Sequence, residues 1–406
     1  MRIIVYEHLS GGGYCGKPIP PMLLAEAFAM LRCITTDFKA AGHTVTVLLD
    51  SRLSSLNPPL DADFVVPIFY PNEYERFLHC IAQINDAVYI IAPETGNVLE
   101  DLLNQIEKMG IISLNCQSKA VGKVSNKSEL YESLEKAGFL IPKTLIFEKA
   151  ISIELLKSKI TELGFPLVFK PIDGVGACGL SLVQDESQIG NALEKIFAES
   201  TSSRFLVQEF VEGESVSVSL FSNGTKSMAV SLNEQLIQIS GVKDDACYQG
   251  GIIPFEHPLK DDAFALAEKA VSLFAGLRGY IGVDLVLTKK SALVVDINPR
   301  LTTSFVGLRT TASFNFAEAL LNSIISGELP KTITFSGYSY FHKYCTQKIS
   351  IESYRETLKL PAVVSPPFPL AEAEISCSLI LGYGRTLKDA RLAVEESKKQ
   401  LDTIIS

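Results

Sequence analysis

The chain has 406 residues, of which 47% are hydrophobic and 20% charged. This length is sufficient for two or three domains, and the composition fits a protein with a substantial core. The formal net charge is −9, from 37 basic and 46 acidic side chains. This balance argues against a nucleic-acid partner, which requires a basic surface, but not against a local basic pocket for a nucleotide.

The eight cysteines are spread over the whole chain, and no two of them have C-x-x-C spacing. A zinc site needs ligands clustered in pairs, and a disulfide framework favours a small, cysteine-dense domain. The pattern therefore predicts reduced thiols in a reducing compartment. The apolar run near the N-terminus, in MRIIVYEHLSGGG, is too short for a signal peptide or a membrane span. We expect a cytoplasmic protein with no membrane partner.

The first 118 residues alternate predicted strands with helices. A helix is predicted over residues 21–41, where Gly42 ends it, and strands are predicted at 2–6, 44–49, 63–68 and 87–92. Strands that alternate with helices imply a parallel sheet wrapped by helices. We therefore predict an N-terminal α/β domain over residues 1–118.

Residues 119–330 show antiparallel hairpins beside helices, which indicates α+β subdomains. Asn126 is predicted to cap a short helix with Glu129 as its capping-box partner, and Asn223-Gly224 to form a hairpin turn. Further helices are predicted at 152–163 and 186–199. The predicted strands are 140–147, 165–170, 179–184, 204–211, 215–222, 226–232, 282–287 and 292–298. Within this domain, residues 127–205 are predicted to form a lid subdomain.

Residues 331–406 are predicted to form a small C-terminal α+β unit. Its proline-rich stretch at 361–369 predicts an extended surface segment. A strand at 375–381 then leads into a final helix capped by Thr386.

The pattern G-x-G-x-x-G occurs first at Gly11, Gly13 and Gly16. A dinucleotide site needs a helix to start at the last glycine, but the run Lys17-Pro18-Ile19-Pro20-Pro21 delays the helix. The acidic residue Asp50 also lies 34 residues beyond Gly16, where that fingerprint expects about 20. A nicotinamide site is therefore not predicted here.

The same loop lies where parallel sheets bind ligands, beyond the carboxyl end of the first strand. We predict a substrate site there, in which the Glu7 carboxylate is free to attract an ammonium group and backbone N–H groups approach a carboxylate. A bare connecting loop with a solvated glutamate is the alternative, and His8 is expected to be an exposed loop histidine. The predicted substrate residues are Glu7, Ser10, Gly11, Gly12 and Gly13.

The second glycine pattern, Gly174, Gly176 and Gly179, stands between two predicted strands. A glycine-rich hairpin presents unobstructed N–H groups and can fold over a polyphosphate as a lid. Lys170 closes the strand before it and is therefore a candidate phosphate ligand.

The segment GYIGVDLVLTKKSALVVDINPRL, residues 279–301, is the most specific acidic pattern. Alternate residues of a strand share a face, so Asp296 and Asn298 point the same way, and Asp284 joins them if the two strands pair. Two carboxylates and an amide oxygen suit Mg²⁺. The alternative is a set of satisfied carboxylates bridged by Arg300 or Arg278.

Residues 119–325 resemble the ATP-grasp superfamily. The resemblance rests on the order and spacing of SNKSELYESLEKAGFLIPKT, FPLVFKPIDGVGACGLSLV, FLVQEFVEGESVSV and GVDLVL…VVDINPRL. It implies an ATP-grasp fold with a pre-ATP-grasp α/β domain, and it implies that the chain uses ATP with Mg²⁺ or Mn²⁺.

The resemblance also implies roles for individual residues. Lys127 and Lys170 would contact the ATP phosphates, with the glycine loop at 173–179 above them, and Arg300 would face the transferred phosphate or the tetrahedral intermediate. The metal ligands would be Asp284, Asp296 and Asn298. Adenine would be bound in the hinge segment Gln208, Glu209, Phe210 and Val211, through backbone groups at Glu209 and Val211.

Two positions depart from the family pattern. Asp296 stands where the family usually has Glu, so its shorter side chain puts the bridging of two metal ions in doubt. The ribose-binding glutamate aligns with Ser215 or, after a one-residue shift, with Glu214.

A finer resemblance, to the tyramine–glutamate ligase group of methanofuran biosynthesis, rests on YEHLSGGG, SLNEQ and DINPRLTTSFVGLR. It implies L-glutamate and an aromatic amine such as tyramine or tyrosine as substrates, joined as a γ-glutamyl amide. The partners implied are these small molecules, and a homodimer is left open.

The reaction this implies is attack of a carboxylate on the γ-phosphate of ATP, followed by capture of the acyl phosphate by an amine. Three alternatives remain open. The chain could be another ATP-grasp amino-acid or dipeptide ligase, an ATP-binding module without turnover, or a nicotinamide oxidoreductase.

Overall fold

The N-terminal part of the chain is built on a five-stranded parallel sheet with the strand order β3-β2-β1-β4-β5. The structure, a computed structural model, describes residues 1–172, 179–200, 202–238, 241–242, 246–331 and 333–405. The strands of this sheet are β1 (Arg2–Glu7), β2 (Thr44–Asp50), β3 (Phe64–Ile68), β4 (Ala87–Ile91) and β5 (Ile112–Ser113). The helices are α1 (Pro21–Ala40), α2 (Ser51–Ser54), α3 (Glu73–Ala82) and α4 (Val98–Lys108). The predicted parallel sheet is confirmed.

A four-stranded antiparallel sheet follows, with the order β6-β9-β7-β8. Its strands are β6 (Thr144–Glu148), β7 (Leu167–Pro171), β8 (Ser181–Val183) and β9 (Arg204–Glu209), and the helices of this region are α5 (Ser118–Ser125), α6 (Lys127–Lys136), α7 (Ile153–Ile160) and α8 (Ile189–Glu199). Asn126 caps α6 by accepting from the Ser128 N–H, and its amide Nδ2 donates to Glu129 Oε1 at 2.9 Å. The two residues predicted to form a capping box are thus bonded through their side chains.

The remaining strands form an eight-stranded antiparallel sheet with the order β14-β13-β10-β11-β12-β15-β17-β16. They are β10 (Glu214–Asn223), β11 (Ser227–Gln238), β12 (Cys247–Ile253), β13 (Arg278–Leu287), β14 (Ala292–Asn298), β15 (Tyr338–Gln347), β16 (Val363–Ser365) and β17 (Ile375–Gly384). The helices here are α9 (Lys260–Ser272), α10 (Phe305–Thr311), α11 (Phe316–Leu321), α12 (Ile351–Thr357) and α13 (Leu387–Ile405). The C-terminal strands therefore extend the central sheet, while the domain boundaries near 118 and 331 stay predictions.

One apolar cluster joins the N-terminal sheet to the central sheet. It contains Ile3 of β1, Phe28 of α1, Phe305 of α10 and Phe341 of β15, all fully buried. Burying aromatic and aliphatic side chains of this size is the main source of stability. The cluster fixes the carboxyl end of the parallel sheet against one face of the central sheet, and the candidate site lies there.

The proline-rich stretch at 361–369 is not the surface segment that its composition predicts. Val363, Val364 and Phe368 are buried, and the Phe368 ring meets the Phe28 ring of α1 edge-on, with the centroids 5.0 Å apart. Arg32 of α1 donates to the carbonyl oxygens of Val363 and Val364. The apolar side chains between the prolines therefore outweigh the tendency of prolines to lie at the surface.

Cys345 and Cys377 are joined in a disulfide, which corrects the prediction that all the cysteines are reduced. The two residues are directly opposite each other on β15 and β17. Their 32-residue separation in sequence gives no sign of this pairing, because strand register alone brings them together. Across the described ranges, no helix has the length and apolar character needed to cross a bilayer.

Candidate active site

The predicted metal ligands share one face of the β13–β14 pair. Asp284 is directly opposite Asp296, and Asn298 is opposite Gly282. Asn298 Nδ2 donates to Asp284 Oδ2 at 2.9 Å, and Gln235 Nε2 of β11 donates to Asp284 Oδ1 at 3.0 Å. The antiparallel register therefore gathers two carboxylates and two amides at one point.

The electrostatics of this cluster favour a cation. Burial and the neighbouring Asp296 charge raise the pKa of Asp284 to about 6. The ammonium of Lys127, at the start of α6, forms an ion pair with Asp296. Burial is the largest single influence and would lower the pKa of Lys127, but the charge and hydrogen bond of Asp296, together with Tyr131 and Glu94, raise the pKa overall.

The donor set fits Mg²⁺. Within the described ranges no three His, Cys, Asp or Glu side chains converge, so the site consists of two carboxylates with amide support. Hard dications take oxygen ligands and share phosphate oxygens. Two carboxylates exceed the charge of the one paired lysine, so the cluster can accept a further positive charge.

Arg300 lies just after β14, in the loop that turns toward the N-terminal sheet. Its Nε donates to Glu94 at 3.0 Å, and both side chains are 13% exposed. Burial is the largest single influence and opposes the charged form, but the carboxylates of Glu94, Asp284 and Asp296 together outweigh it and raise the pKa of Arg300. A permanently charged guanidinium is therefore fixed beside the carboxylate cluster.

Lys170 connects the four-stranded sheet to the same cluster. Its Nζ donates to the Tyr131 hydroxyl at 3.1 Å and to Gln208 Oε1 at 3.2 Å. The Tyr131 hydroxyl in turn donates to the carbonyl oxygen of Val295, next to Asp296. Lys170 is thus connected to β14 through the Tyr131 hydroxyl.

The hinge segment after β9 is held by its own backbone. The Glu209 N–H donates to the Lys143 carbonyl at 2.9 Å, and the Lys143 N–H donates to Glu209 Oε1 at 2.8 Å. The Phe210 N–H donates to the Pro166 carbonyl at 3.2 Å. Two of the segment's donors are therefore engaged within the fold, so an adenine ring must use other backbone groups there.

Strand register separates the two candidates for ribose binding. Ser217 is opposite Asp284 and Ser215 is opposite Val286, so Ser215 and Asp284 share a face. Glu214 is opposite Leu287 and points to the other face, where its carboxylate is 3.8 Å from His257 Nε2. The face that carries the carboxylate cluster therefore presents Ser215.

The predicted phosphate lid is only partly described. Gly174 and Gly176 lie outside the described residues, and their role stays a prediction. Gly179 adopts a φ of +69°, and a Cβ there would lie 2.7 Å from Pro171 Cγ. Glycine is therefore required at Gly179 both for its backbone conformation and for close packing.

Glu7, at the end of β1, does not have the free carboxylate that the sequence predicts. It is 4% exposed, and its carboxylate accepts from the N–H groups of Leu9 and Ser10 and from the Ser10 hydroxyl, at 2.6–3.1 Å. The prediction was wrong in this respect because the turn at 9–13 supplies its own donors. The nearby Arg300 charge still places this loop beside the site.

The three adjacent glycines have a packing role that the sequence analysis missed. A Cβ would lie 2.7 Å from the Tyr6 ring at Gly11, 2.5 Å from Ile68 at Gly12, and 2.3 Å from the His8 ring at Gly13. The Gly13 N–H also donates to the carbonyl oxygen of His8. The turn is therefore a tightly packed element, although a contact with substrate stays a prediction.

His8 is buried, which corrects the expected exposed loop histidine. Its Nδ1 is 3.1 Å from the Tyr6 hydroxyl, and the Tyr74 ring packs edge-on against it. Burial, with a smaller contribution from Lys17, lowers the pKa of His8 to about 4.

Sequence reasoning missed three residues that shape the site: Glu94, Tyr131 and Gln235. Glu94 had a usable signal, because it follows β4 at the carboxyl edge of a parallel sheet, where ligand-binding residues collect. Tyr131 and Gln235 reach the site only through tertiary packing.

Comparison with known protein families agrees with this geometry. An ATP-grasp domain model matches residues 124–304, and a pre-ATP-grasp domain model matches residues 43–121. The tyramine–L-glutamate ligase of Methanocaldococcus jannaschii is 32% identical over 329 residues, which cover 80% of this chain and 90% of that protein.

Solved structures show the same fold at low sequence identity. The biotin carboxylase of Campylobacter jejuni, crystallised with β,γ-ATP, has a TM-score of 0.72 at 13% identity and covers all of this chain and 95% of its own. The biotin carboxylase domain of Hydrogenobacter thermophilus 2-oxoglutarate carboxylase, crystallised with MgADP, ADP and bicarbonate, has a TM-score of 0.70 at 14% identity, over 97% of this chain and 89% of its own.

The family matches and the fold identify an ATP-grasp enzyme, of the carboxylate–amine ligase type, whose family uses ATP and Mg²⁺. Within that superfamily, the chain belongs to the group of the tyramine–L-glutamate ligases.

Proposed function

We propose that this chain joins the γ-carboxylate of L-glutamate to an aromatic amine, tyramine or tyrosine, at the expense of ATP. The product would be a γ-glutamyl amide for methanofuran-type cofactor biosynthesis. The observation that carries the proposal is the meeting of the Asp284–Asp296–Asn298 cluster with Arg300 at one edge of the central sheet. The 32% identity to a ligase named for these substrates supports the choice of substrates.

Each proposed step needs a charge that one of these residues would supply. Attack of a carboxylate on a phosphate brings anions together, so the main requirement is charge neutralisation and alignment. Asp284, Asp296 and Asn298 would hold Mg²⁺, which would offset the negative charge of the phosphates. Arg300 would stabilise the charge that develops on the transferred phosphoryl group.

The nucleotide would lie between the two sheets that carry these residues. We propose that Lys127 and Lys170 bind phosphate oxygens, because both ammonium groups border the carboxylate cluster. Adenine would accept from the Val211 N–H and donate to the Glu209 carbonyl, since the Glu209 and Phe210 N–H groups are engaged elsewhere. Ser215 would face the ribose.

In the second half-reaction the amine attacks the acyl phosphate and inorganic phosphate leaves. The chain's contribution is to hold the two reactants in line and to keep Arg300 over the departing phosphate. Glu94 positions Arg300 through its ion pair.

The test is an ADP-release screen of L-amino acids against amines, with Mg²⁺ and with a chelator. We expect ADP, phosphate and amide in equal amounts with L-glutamate and tyramine. Glutamate labelled with ¹⁸O in its γ-carboxylate should transfer one label to the phosphate, because the acyl phosphate breaks at its carbonyl carbon.

Two outcomes would contradict the proposal. AMP and pyrophosphate as products would indicate an adenylate rather than an acyl phosphate. ADP release that does not depend on any amine would leave ATP hydrolysis rather than ligation. Selective turnover with other amino acids would retain the ligase but replace the substrates.

A further inference from the structure

A buried lysine lies on the site face of the central sheet, outside the matched ATP-grasp domain. Gln235, which bonds Asp284, is opposite Gly251, and Gly251 is opposite Phe341 of β15. Lys343 lies two residues further along β15 and so faces the same side as Phe341. The C-terminal segment therefore contributes a cation to the face that carries the carboxylate cluster.

Lys343 forms an ion pair with Glu26 of α1. The Nζ–Oε1 distance is 2.7 Å, and the two side chains are 6% and 15% exposed. The other carboxylate oxygen, Glu26 Oε2, accepts from the Thr303 hydroxyl at 2.6 Å. This contact connects α1 and β15 to the loop that carries Arg300.

The pair retains unused binding capacity. An ammonium has three donors, and among the described residues Glu26 is the one hydrogen-bond acceptor recorded for Lys343. The ammonium also lies over the face of Tyr248, with the ring centroid 5.8 Å from Nζ. Buried N–H donors without acceptors are costly, so a ligand that accepts from them gains free energy.

We propose that Lys343 and Glu26 bind the head group of an α-amino acid as a zwitterion. The ligand's carboxylate would accept from the free N–H groups of Lys343, and its ammonium would donate to the Glu26 carboxylate. In the ligand-free protein the two residues share one hydrogen bond, and the other Lys343 donors are open to the ligand. This inference rests on the proposed function in one respect, since it places the glutamate head group away from the γ-carboxylate that reacts.

The location supports that assignment. Thr303 is three residues from Arg300, so the two backbone positions are at most about 11 Å apart. Burial raises the pKa of Tyr248 well above its usual value, and the charges of Glu26 and Asp284 add to the shift. The Tyr248 ring lies beside the Lys343 ammonium, and Thr303 connects Glu26 to the loop of Arg300, so the ion pair borders the candidate site.

The test is binding of three ligands to the full chain with Mg²⁺ and a non-hydrolysable ATP analogue. The ligands are L-glutamate, 4-aminobutyrate, which lacks the α-carboxylate, and glutarate, which lacks the ammonium. We expect the wild-type protein to bind glutamate about tenfold more tightly than either analogue, because each lacks one charge-assisted contact.

The variants separate the two contacts. Lys343→Met should remove the preference for glutamate over 4-aminobutyrate but keep the preference over glutarate. Glu26→Gln should do the reverse. A structural ion pair would weaken all three ligands alike, so unchanged ratios would overturn the proposal.

The matched control is Arg309→Met. Arg309 of α10 pairs with Asp37, also on α1, at 2.5 Å, and Asp37 lies about 16 Å along the helix from Glu26. We expect Arg309→Met to lower stability and leave the three affinities unchanged.

Failure of the inference and failure of the proposed function have different signatures. If the wild-type protein turns over glutamate but shows no preference over the analogues, the head-group subsite is wrong and the ligase stands. If it shows the preference but forms no amide with any amine, the subsite stands and the proposed reaction fails. Absence of glutamate binding to the wild-type protein would also overturn the subsite.

Discussion

Two carboxylates lie near the candidate site, one buried and one half-buried, and their surroundings are opposite. Glu7, at the end of β1, accepts three hydrogen bonds from its own turn. Asp284, on β13, accepts from two amides but also faces the like charge of Asp296. Burial raises the pKa of both groups.

From this difference we propose a criterion that separates carboxylates satisfied within the fold from candidates for ligand binding. Donors from within the same turn satisfy the hydrogen-bonding capacity of the Glu7 carboxylate. These bonds therefore stabilise the fold and leave little gain from a ligand. Two adjacent carboxylates with one lysine are stabilised by a further cation, so the β13–β14 face is prepared to bind one. Burial raises the pKa of both carboxylates, so only their hydrogen-bond and charge partners distinguish them.

The largest expected effect is a loss of activity when the predicted metal ligands beside Asp284 are removed. Asp296→Asn and Asn298→Ala should each lower kcat about 100-fold or more, about 3–4 kcal/mol, because a preorganised charge contact is lost. The measurement is Mg²⁺-dependent ADP release, with circular dichroism to show an intact fold. Asp261→Asn, an exposed aspartate on α9, is the control. Activity within about threefold of wild type would remove these residues from the metal site.

In the turn that encloses Glu7, Gly12→Ala should lower the free energy of unfolding by roughly 2–4 kcal/mol. The φ of +100° disfavours alanine, and the new Cβ would lie 2.5 Å from Ile68. Gly42→Ala, at a φ of +80° with no atom within 4 Å, should lose only about 1 kcal/mol. Chemical denaturation measures both. Equal losses would show that backbone conformation, not packing, requires the glycine.

How far the sequence predicts each region follows from the range of the contacts. Period-two alternation along 292–298 places Asp296 and Asn298 on one face, and a short turn brings β13 back beside β14. Those contacts are local. The partner of Arg300 is not, since Glu94 comes from 206 residues earlier and depends on how the two sheets pack.

The same reasoning explains the errors. The Cys345–Cys377 disulfide and the buried Val363–Phe368 segment both depend on the pairing of C-terminal strands that no local pattern specifies. The prediction of a free Glu7 carboxylate was wrong for another reason. Its partners are only two and three residues away, but a glycine-rich turn can adopt many conformations, and the one that encloses a carboxylate is fixed by packing against Tyr6 and Ile68.

The burial of His8 makes the stability of the protein depend on pH. Its pKa of about 4 lies below the unfolded value of about 6.5, so the unfolded chain binds more protons between these limits. Stability should therefore fall as pH drops from about 6.5 to about 4, by roughly 2–3 kcal/mol from this group. His8→Gln should flatten that part of the profile, whereas His79→Gln, at an exposed site, should not. Identical profiles for wild type and His8→Gln would contradict the assignment.

A smaller effect, on ATP affinity, is expected from Lys170 of the four-stranded sheet. Lys170→Ala should weaken ATP binding about tenfold, because one charge-assisted contact to phosphate is lost. Lys170→Arg should not fully restore it, since the guanidinium fork needs a different geometry. Calorimetric titration with an ATP analogue measures both. Lys157→Ala, which removes an exposed pair with Glu186, is the control; unchanged affinity in Lys170→Ala would rule out the phosphate contact.

The smallest effect is expected at Glu7, and it tests the comparison directly. Glu7→Gln keeps one acceptor oxygen, which can stay with the two donors of Ser10, and turns its NH₂ group toward the Leu9 N–H. We expect a loss of about 1 kcal/mol in the free energy of unfolding, because one hydrogen bond becomes a donor–donor contact. Affinity for glutamate and for the amine should change by less than about threefold, under 1 kcal/mol. A carboxylate that binds a substrate ammonium would instead lose about tenfold in that affinity with ATP binding retained. That second result would return Glu7 to the substrate site and show that a carboxylate capped by its own turn can still exchange those donors for a ligand.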